Sequence, residues 1–235
     1  MRSVVLVSGA ALMMLAAASC PAQERVVTVL ARGTLNTAGR LFPNPNATDP
    51  VARAQARSYS DSYGIGAEVQ YHVPGSNISL SISSEYIRNS DTSPIAAGGG
   101  RRVEVEDSYR IIPVEFTGYF RIPVTDGSFS MFMGGGVGVY WGSRYYAIAG
   151  VEAPTTNTRA GFGIHVLGGV AYRVNELFSV TAEVKFRDAQ FETTNAFHSA
   201  SARYGNIVVS LPQLPFESRI HSDGMVIGVG LGVSL

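Results

Sequence analysis

The chain has 235 residues, with 18 basic and 18 acidic side chains and no formal net charge. Gly reaches 26 copies and Tyr with Phe reach 22, which is too apolar and aromatic for a disordered chain. A single Lys, Lys185, and overall neutrality give no electrostatic basis for nucleic-acid binding, and one cysteine, Cys20, excludes a disulfide framework and any multi-cysteine metal site.

The first element is an export signal. Met1-Arg2 gives a positive start, Val4 to Ala18 is an uncharged apolar run, and Cys20-Pro21-Ala22 offers small residues for cleavage before Gln23. The run is short for a spanning helix, which needs about twenty apolar residues. Acylation of Cys20 as a lipid anchor is the competing reading, but Ala17-Ala18-Ser19 lacks the leucine expected three residues before such a cysteine. Residues 1–22 are therefore read as a signal peptide and 23–235 as the folded domain. The mature chain has no other apolar window long enough for a membrane helix.

Eight segments of alternating character follow, at about 25–33, 60–73, 76–88, 107–124, 128–142, 160–174, 178–190 and 220–235. Tight turns are expected at Pro74-Gly75, at Asp126-Gly127 and around Asn175-Glu176. The remaining connections, about 34–59, 89–106, 143–159 and 191–219, are long and rich in Ser, Asn, Thr, Pro and Arg. Along each strand the two faces separate. Tyr63, Ile65, Ala67, Val69 and Tyr71 oppose Gly64, Gly66, Glu68, Gln70 and His72; Phe178, Val180, Ala182, Val184 and Phe186 oppose Ser179, Thr181, Glu183, Lys185 and Arg187.

The turns give a second handle. A two-residue turn at Asp126-Gly127 sets Arg121 opposite Phe132 and Glu115 opposite Gly138, all on the polar face. A two-residue turn at Pro74-Gly75 sets His72 opposite Asn77 and Glu68 opposite Ser81; a three-residue turn at Asn175 sets His165 opposite Arg187. The even strand number, the alternation of short and long connections, and glycines on the polar face favour a barrel with its apolar face toward lipid. Short turns are then periplasmic and long loops extracellular.

On this pattern the chain resembles the small eight-stranded bacterial outer-membrane barrels, the OmpA/OmpX/OmpW-like and opacity-type group. The resemblance covers about 25–235 and is strongest at Gly168-Gly169-Val170-Ala171-Tyr172-Arg173-Val174-Asn175-Glu176-Leu177-Phe178-Ser179-Val180 and the Gly-alternating last strand. It implies an all-β, eight-stranded antiparallel up-and-down transmembrane barrel in the bacterial outer membrane. Implied partners are outer-membrane lipids and lipopolysaccharide, the barrel-assembly machinery, and a surface partner met through the loops. The family usually ends in an aromatic residue read by that machinery, whereas this chain ends in Leu235.

The polar face supplies the candidate site, a lumen charge network of Glu68, Glu85, Glu115, Arg121, His165, Arg173, Glu183, Lys185 and Arg187, with His72 beside it. Balanced charges in so narrow a barrel are expected to pair and plug it, since eight strands enclose about enough room for their own side chains. No P-loop is present, the two glycine-rich stretches Gly136-Val137-Gly138 and Gly228-Val229-Gly230-Leu231-Gly232 precede no helix, and the His residues show no metal spacing, so neither cofactor nor metal is expected. Tyr63, Tyr109, Trp141, Tyr145, Tyr146, Tyr172, Phe178 and Phe191 are assigned to interfacial girdles. Arg101 and Arg102 follow three glycines in a loop and face lipopolysaccharide phosphates or solvent.

The expected role is non-catalytic, either envelope structure or surface interaction through the loops. The alternatives are a small porin for small or apolar solutes and a lipid-modifying enzyme like the lipid A deacylases. The last would need a Ser/His pair, for which His198, Ser199, Ser201, His221 and Ser222 are the candidates; their spacing does not match that of those enzymes.

Overall fold

A computed structural model describes residues 25–59, 61–96, 102–123, 128–205 and 207–235. The signal segment, Cys20 and the Asp126-Gly127 turn lie outside them. In chain order the elements are β1 Val27–Asn36, β2 Gly39–Phe42, the short helix α1 Pro50–Ala54, β3 Arg57–Tyr59, β4 Ser62–His72, β5 Ile78–Ala96, β6 Arg102–Ile122, β7 Phe129–Ile148, β8 Val151–Ala153 and β9 Thr155–Arg159. They continue with β10 Gly161–Arg173, β11 Phe178–Arg187, β12 Ala189–Asn195, β13 Ser201–Tyr204, β14 Ile207–Ser210, β15 Phe216–Ser222 and β16 Met225–Ser234.

Eight of these strands close a barrel in the order β1-β4-β5-β6-β7-β10-β11-β16 and back to β1, antiparallel throughout. Closure gives each of these strands a neighbour on both flanks, as a bilayer demands. The apolar face points outward: Tyr63 and Ile65 are 71% exposed and Phe162 is 76% exposed, while Glu68 and Glu115 on the opposite face are 1% exposed. On β10 the apolar stripe runs from Tyr172 to Phe162. At about 3.3 Å per residue and a tilt of about 40° this spans about 25 Å, the height of an outer-membrane hydrocarbon belt.

The expected registers hold between β6 and β7, where Arg121 meets Phe132 and Glu115 meets Gly138, and between β10 and β11, where His165 meets Arg187. The Asn175 turn is a three-residue connection: the Val174 amide donates to the Phe178 carbonyl at 2.9 Å, and Asn175 Oδ1 accepts from the amides of Leu177 and Phe178, both at 2.8 Å.

Between β4 and β5 the register differs from expectation by two residues. His72 pairs with Ser79, Glu68 with Ser83 and Gly64 with Ile87. The cause is a wider turn, in which the Val73 amide reaches the Ile78 carbonyl at 3.0 Å and Gly75 sits at φ 71°. The Ser76 hydroxyl fastens it by donating to Val73 O at 2.9 Å and accepting from Ile78 N at 3.2 Å. An even shift keeps every side chain on its face, so the face assignment survives.

The long connections differ most from expectation, because much of their length is strand. Past the apolar belt β5, β6 and β7 continue as a sheet extended by β8, and a five-stranded sheet β3-β2-β15-β12-β9 stands against it. A separate hairpin, β13 with β14, completes the cap. Helix α1 takes its start from Asp49, which accepts from the Val51 amide at 3.0 Å, and from Pro50 at its first position.

Candidate functional site

Short polar residues close the turn end of the lumen. His72 lies between the hydroxyls of Thr28 (2.9 Å) and Ser79 (2.8 Å). One layer further in, the Arg32 guanidinium bridges Glu68 and Glu183, the latter at 2.9 Å, and donates to Tyr119 Oη at 3.1 Å. Gln70 donates to Glu68 at 2.6 Å.

Above it, Lys185 Nζ stands 2.7 Å from Glu115, 3.8 Å from Glu85 and 4.0 Å from Glu183. Arg187 reaches Glu85 at 2.9 Å, Glu115 at 3.3 Å and Asn36 Oδ1 at 2.9 Å. Tyr140 donates its hydroxyl to Glu115 at 3.2 Å, and His165 Nε2 meets Thr117 Oγ1 at 2.9 Å. All three cations and four carboxylates are buried. Burying an ion costs several kcal/mol, and here each cation faces at least two carboxylates, the geometry that recovers such a cost.

Glycine makes room for this layer. A Cβ on Gly136 would lie 1.9 Å from the Phe116 carbonyl oxygen, and one on Gly138 would lie 2.8 Å from Tyr140 Oη and 3.0 Å from Glu115 Cγ.

Two corrections to the expected network follow. Arg121 and Arg173 sit at the turn end, exposed and close enough to repel one another, and neither forms an ion pair among the described residues. Their inward parity is right, but their height along the barrel puts them below the acids. Arg32, absent from the expected network, is a hub of it; the signal that finds it is the alternation of the first strand, which puts Arg32 on the polar face.

An apolar stopper tops the charge layer, with Leu41, Ile87, Tyr109, Ile111, Phe191 and Ile220 among its members. Tyr109 and Phe191, assigned by sequence to the lipid girdle, are 2% and 1% exposed and point inward. Tyr109 shares the inward parity of Glu115 on β6, and Phe191 belongs to β12 of the cap sheet. Of the other girdle residues Tyr63, Trp141, Tyr145, Tyr172 and Phe178 do face outward.

Beyond the stopper a second polar cluster lies inside the cap. Arg144 clasps Asp107 with Nε–Oδ1 2.8 Å and Nη2–Oδ2 2.7 Å, and its Nη1 donates to Ser218 at 2.6 Å. Arg57 bridges Asp107 and Asp91 at 3.6 and 2.8 Å. Tyr59 donates to Asp107 at 2.8 Å; burial, and then that carboxylate, push its phenol above the usual range. A final apolar core of Val103, Val105, Ile148, Phe197 and Leu211 seals the cap, with Tyr146 and Phe216 packed on it rather than on a girdle. The Arg144 guanidinium lies 4.5 Å above the Tyr146 ring.

The hydrolase candidates do not assemble. His198 is exposed in the cap. His221 faces out against the Phe42 ring at 4.9 Å, whereas Ser222 is buried on the opposite face of β15. Asp223, the carboxylate next in sequence, pairs with Arg40. Among the described residues no cluster of His, Cys, Asp and Glu is arranged to hold a metal ion. Arg102 is exposed, and Arg101 lies outside the described residues.

Residues 8–212 match the model of the outer membrane protein beta-barrel domain. The structure is similar to that of OprG from Pseudomonas aeruginosa, with TM-score 0.56 at 13% identity over 90% of this chain and 97% of that one. Neisserial surface protein A aligns with TM-score 0.48 at 10% identity over 89% and 97% of the two chains. Ail of Yersinia pestis aligns with TM-score 0.42 at 9% identity over 90% and 99%. No curated protein matches the chain. With a lipid-facing apolar belt, eight closed strands and a family match over most of its length, the chain belongs to the outer membrane protein beta-barrel domain family and is a protein of the bacterial outer membrane.

Proposed function

We propose that this protein is a non-catalytic component of the outer membrane that acts through its extracellular cap, as an envelope-structural or surface-interaction protein, with a sealed lumen. One observation supports the reading above the others: the interior is filled in sequence by the Arg32 and Lys185–Arg187 ion layers, the stopper and the Asp107 cluster. Strand length is spent on the cap rather than on a wider pore. Lipopolysaccharide, outer-leaflet lipids, the assembly machinery and a surface partner are the proposed contacts.

Planar-bilayer recording of the refolded 23–235 chain, with insertion confirmed by heat-dependent gel mobility, tests the sealed lumen. No steady conductance is expected, and reproducible unitary currents would overturn it. Removal of the β13–β14 hairpin is expected to abolish partner binding while leaving gel mobility unchanged.

A narrow cation path is the second reading. The buried layer holds four carboxylates against three cations, and Glu183 Oε2, Ser81 Oγ and His165 Nδ1 have no hydrogen-bond partner among the described residues, so they call for water. If currents are found, Glu115→Ala should alter their selectivity.

A further inference from the structure

The charges of the two buried lumen layers are paired, whereas an outward-facing couple of arginines has no ion-pair partner among the described residues. Arg88 on β5 and Arg110 on β6 are direct cross-strand partners and both are exposed on the outer face of the barrel. Directly opposed side chains on one face have Cβ atoms about 5 Å apart, and like charges in that position repel. No carboxylate among the described residues comes within ion-pair distance of either guanidinium; Asp61 and Glu106, the acids on the flanking stretches of that face, stay beyond it. Arg110 is nonetheless held in place, its Nε donating to Ser143 Oγ at 2.6 Å. That contact uses one donor and leaves the fork of terminal N–H groups free.

The position is specific. Arg88 and Arg110 are the first charged residues met on the outward faces of β5 and β6 above the apolar belt. Directly below them stand Tyr86, Ile112 and Trp141, and beside them Tyr63 and Tyr145, all between 40% and 71% exposed. Outward Tyr and Trp mark the interfacial level of a barrel, where headgroups lie. Tyr63 is the cross-strand partner of Arg88, and Ser143 that of Arg110, so the pair is framed on both sides.

We propose that Arg88 and Arg110 clamp a phosphate of an outer-leaflet glycolipid headgroup, of the lipid A type. A phosphomonoester turns the repulsion between the two guanidinium groups into shared attraction, and the planar fork of each fits two of its oxygens. The aromatic frame holds the sugar and the upper acyl carbons at the same level. This deepens the lipid-partner part of the proposed function and is independent of whether the lumen conducts, which the bilayer recording reads separately.

The test uses the full refolded barrel in nonionic detergent. Lipid A binding is followed by native mass spectrometry, and the unfolding midpoint by heat-dependent gel mobility. Wild type should retain bis-phosphorylated lipid A and melt higher in its presence, and R88Q/R110Q should weaken retention by roughly tenfold or more. Without lipid, R88Q should melt at or above the wild-type temperature because a like-charge contact has gone; with lipid A the order should reverse. A residue of purely structural importance would not give that reversal.

Should R88Q/R110Q fail to fold, wild type against dephosphorylated lipid A and against R88K/R110K carries the test. Equal retention of phosphorylated and dephosphorylated lipid A overturns the proposal, as does undiminished binding by R88Q/R110Q. Inorganic phosphate that competes at the same concentration as lipid A would show an anion site without lipid recognition, and also overturns it.

Discussion

The membrane tier and the cap tier are built on the same strand by opposite rules. On β6 the outward face reads Phe120, Phe116, Val114 and Ile112 through the belt, then Arg110, Glu106 and Glu104 beyond it. The inward face reads Tyr119, Thr117 and Glu115, then Ile111 and Tyr109 and, past the Asp107 cluster, Val105 and Val103. Both faces exchange character within one step of Arg110. Side-chain direction is set by the pleat and does not change; what changes is the medium outside. Against lipid, the interior is where polar groups gather, and they must pair; against water, the interior can be apolar and the ion cluster becomes a minority within it.

The largest expected effect comes from breaking the membrane-tier network from one side. Lys185→Met leaves Glu85 and Glu115 with Arg187 alone and should cost about 3–5 kcal/mol, read by urea unfolding in vesicles through the fluorescence of Trp141. K185M/E115L, which removes both partners, should recover more than half of that loss. Phe116→Arg, which puts a charge against lipid, should cost about 2–4 kcal/mol, whereas Glu106→Arg on the same face of the same strand should stay within about 0.5 kcal/mol. Equal costs for those two substitutions would erase the contrast between the tiers.

Arg144→Met is expected to loosen the cap alone. Protease cleavage within 189–222 should rise roughly tenfold while heat-dependent mobility of the barrel is kept, because local opening and global unfolding are separate equilibria. The smallest effect is on pH. Burial, partly offset by Asp223 and reinforced by Arg219, holds His221 below the usual imidazole value, with Asp188 and Arg40 the other charges near it. The folded cap thus binds its proton less readily than the unfolded chain. The stability this contributes is present above about pH 6.5 and is lost as pH falls through the folded value. Protection of β15 should fall modestly on acidification in wild type and stay flat in His221→Phe.

Sequence made the membrane tier legible and the cap hardly at all. Period-2 patterning with a fixed turn placed Arg121 against Phe132 and Glu115 against Gly138, since both constraints had to agree. Parity, however, carries no information about height, which depends on tilt and stagger around the barrel. So parity places Arg121 and Arg173 inside but cannot tell that they stand below the acids. In the cap, Phe216–Ser222 and Ala189–Asn195 alternate between inward residues such as Ser218, Thr193 and Asn195 and outward Glu192 and Arg219. The inward face mixes apolar Ala189, Phe191 and Ile220 with polar Thr193, Asn195, Ser218 and Ser222, so hydrophobic periodicity is too weak to mark these strands.

The seam of the barrel has a consequence for the order of events in its making. β1 is hydrogen-bonded on one flank to β16, and the Thr28 hydroxyl touches that of Ser234 across 206 positions of chain, at 3.1 Å. Until the last strand arrives, the first presents a bare rim of amides and carbonyls to whatever is nearby, and long-range pairing of this kind is slow to form. Closure of the barrel therefore waits on the pairing of its two strands farthest apart in sequence.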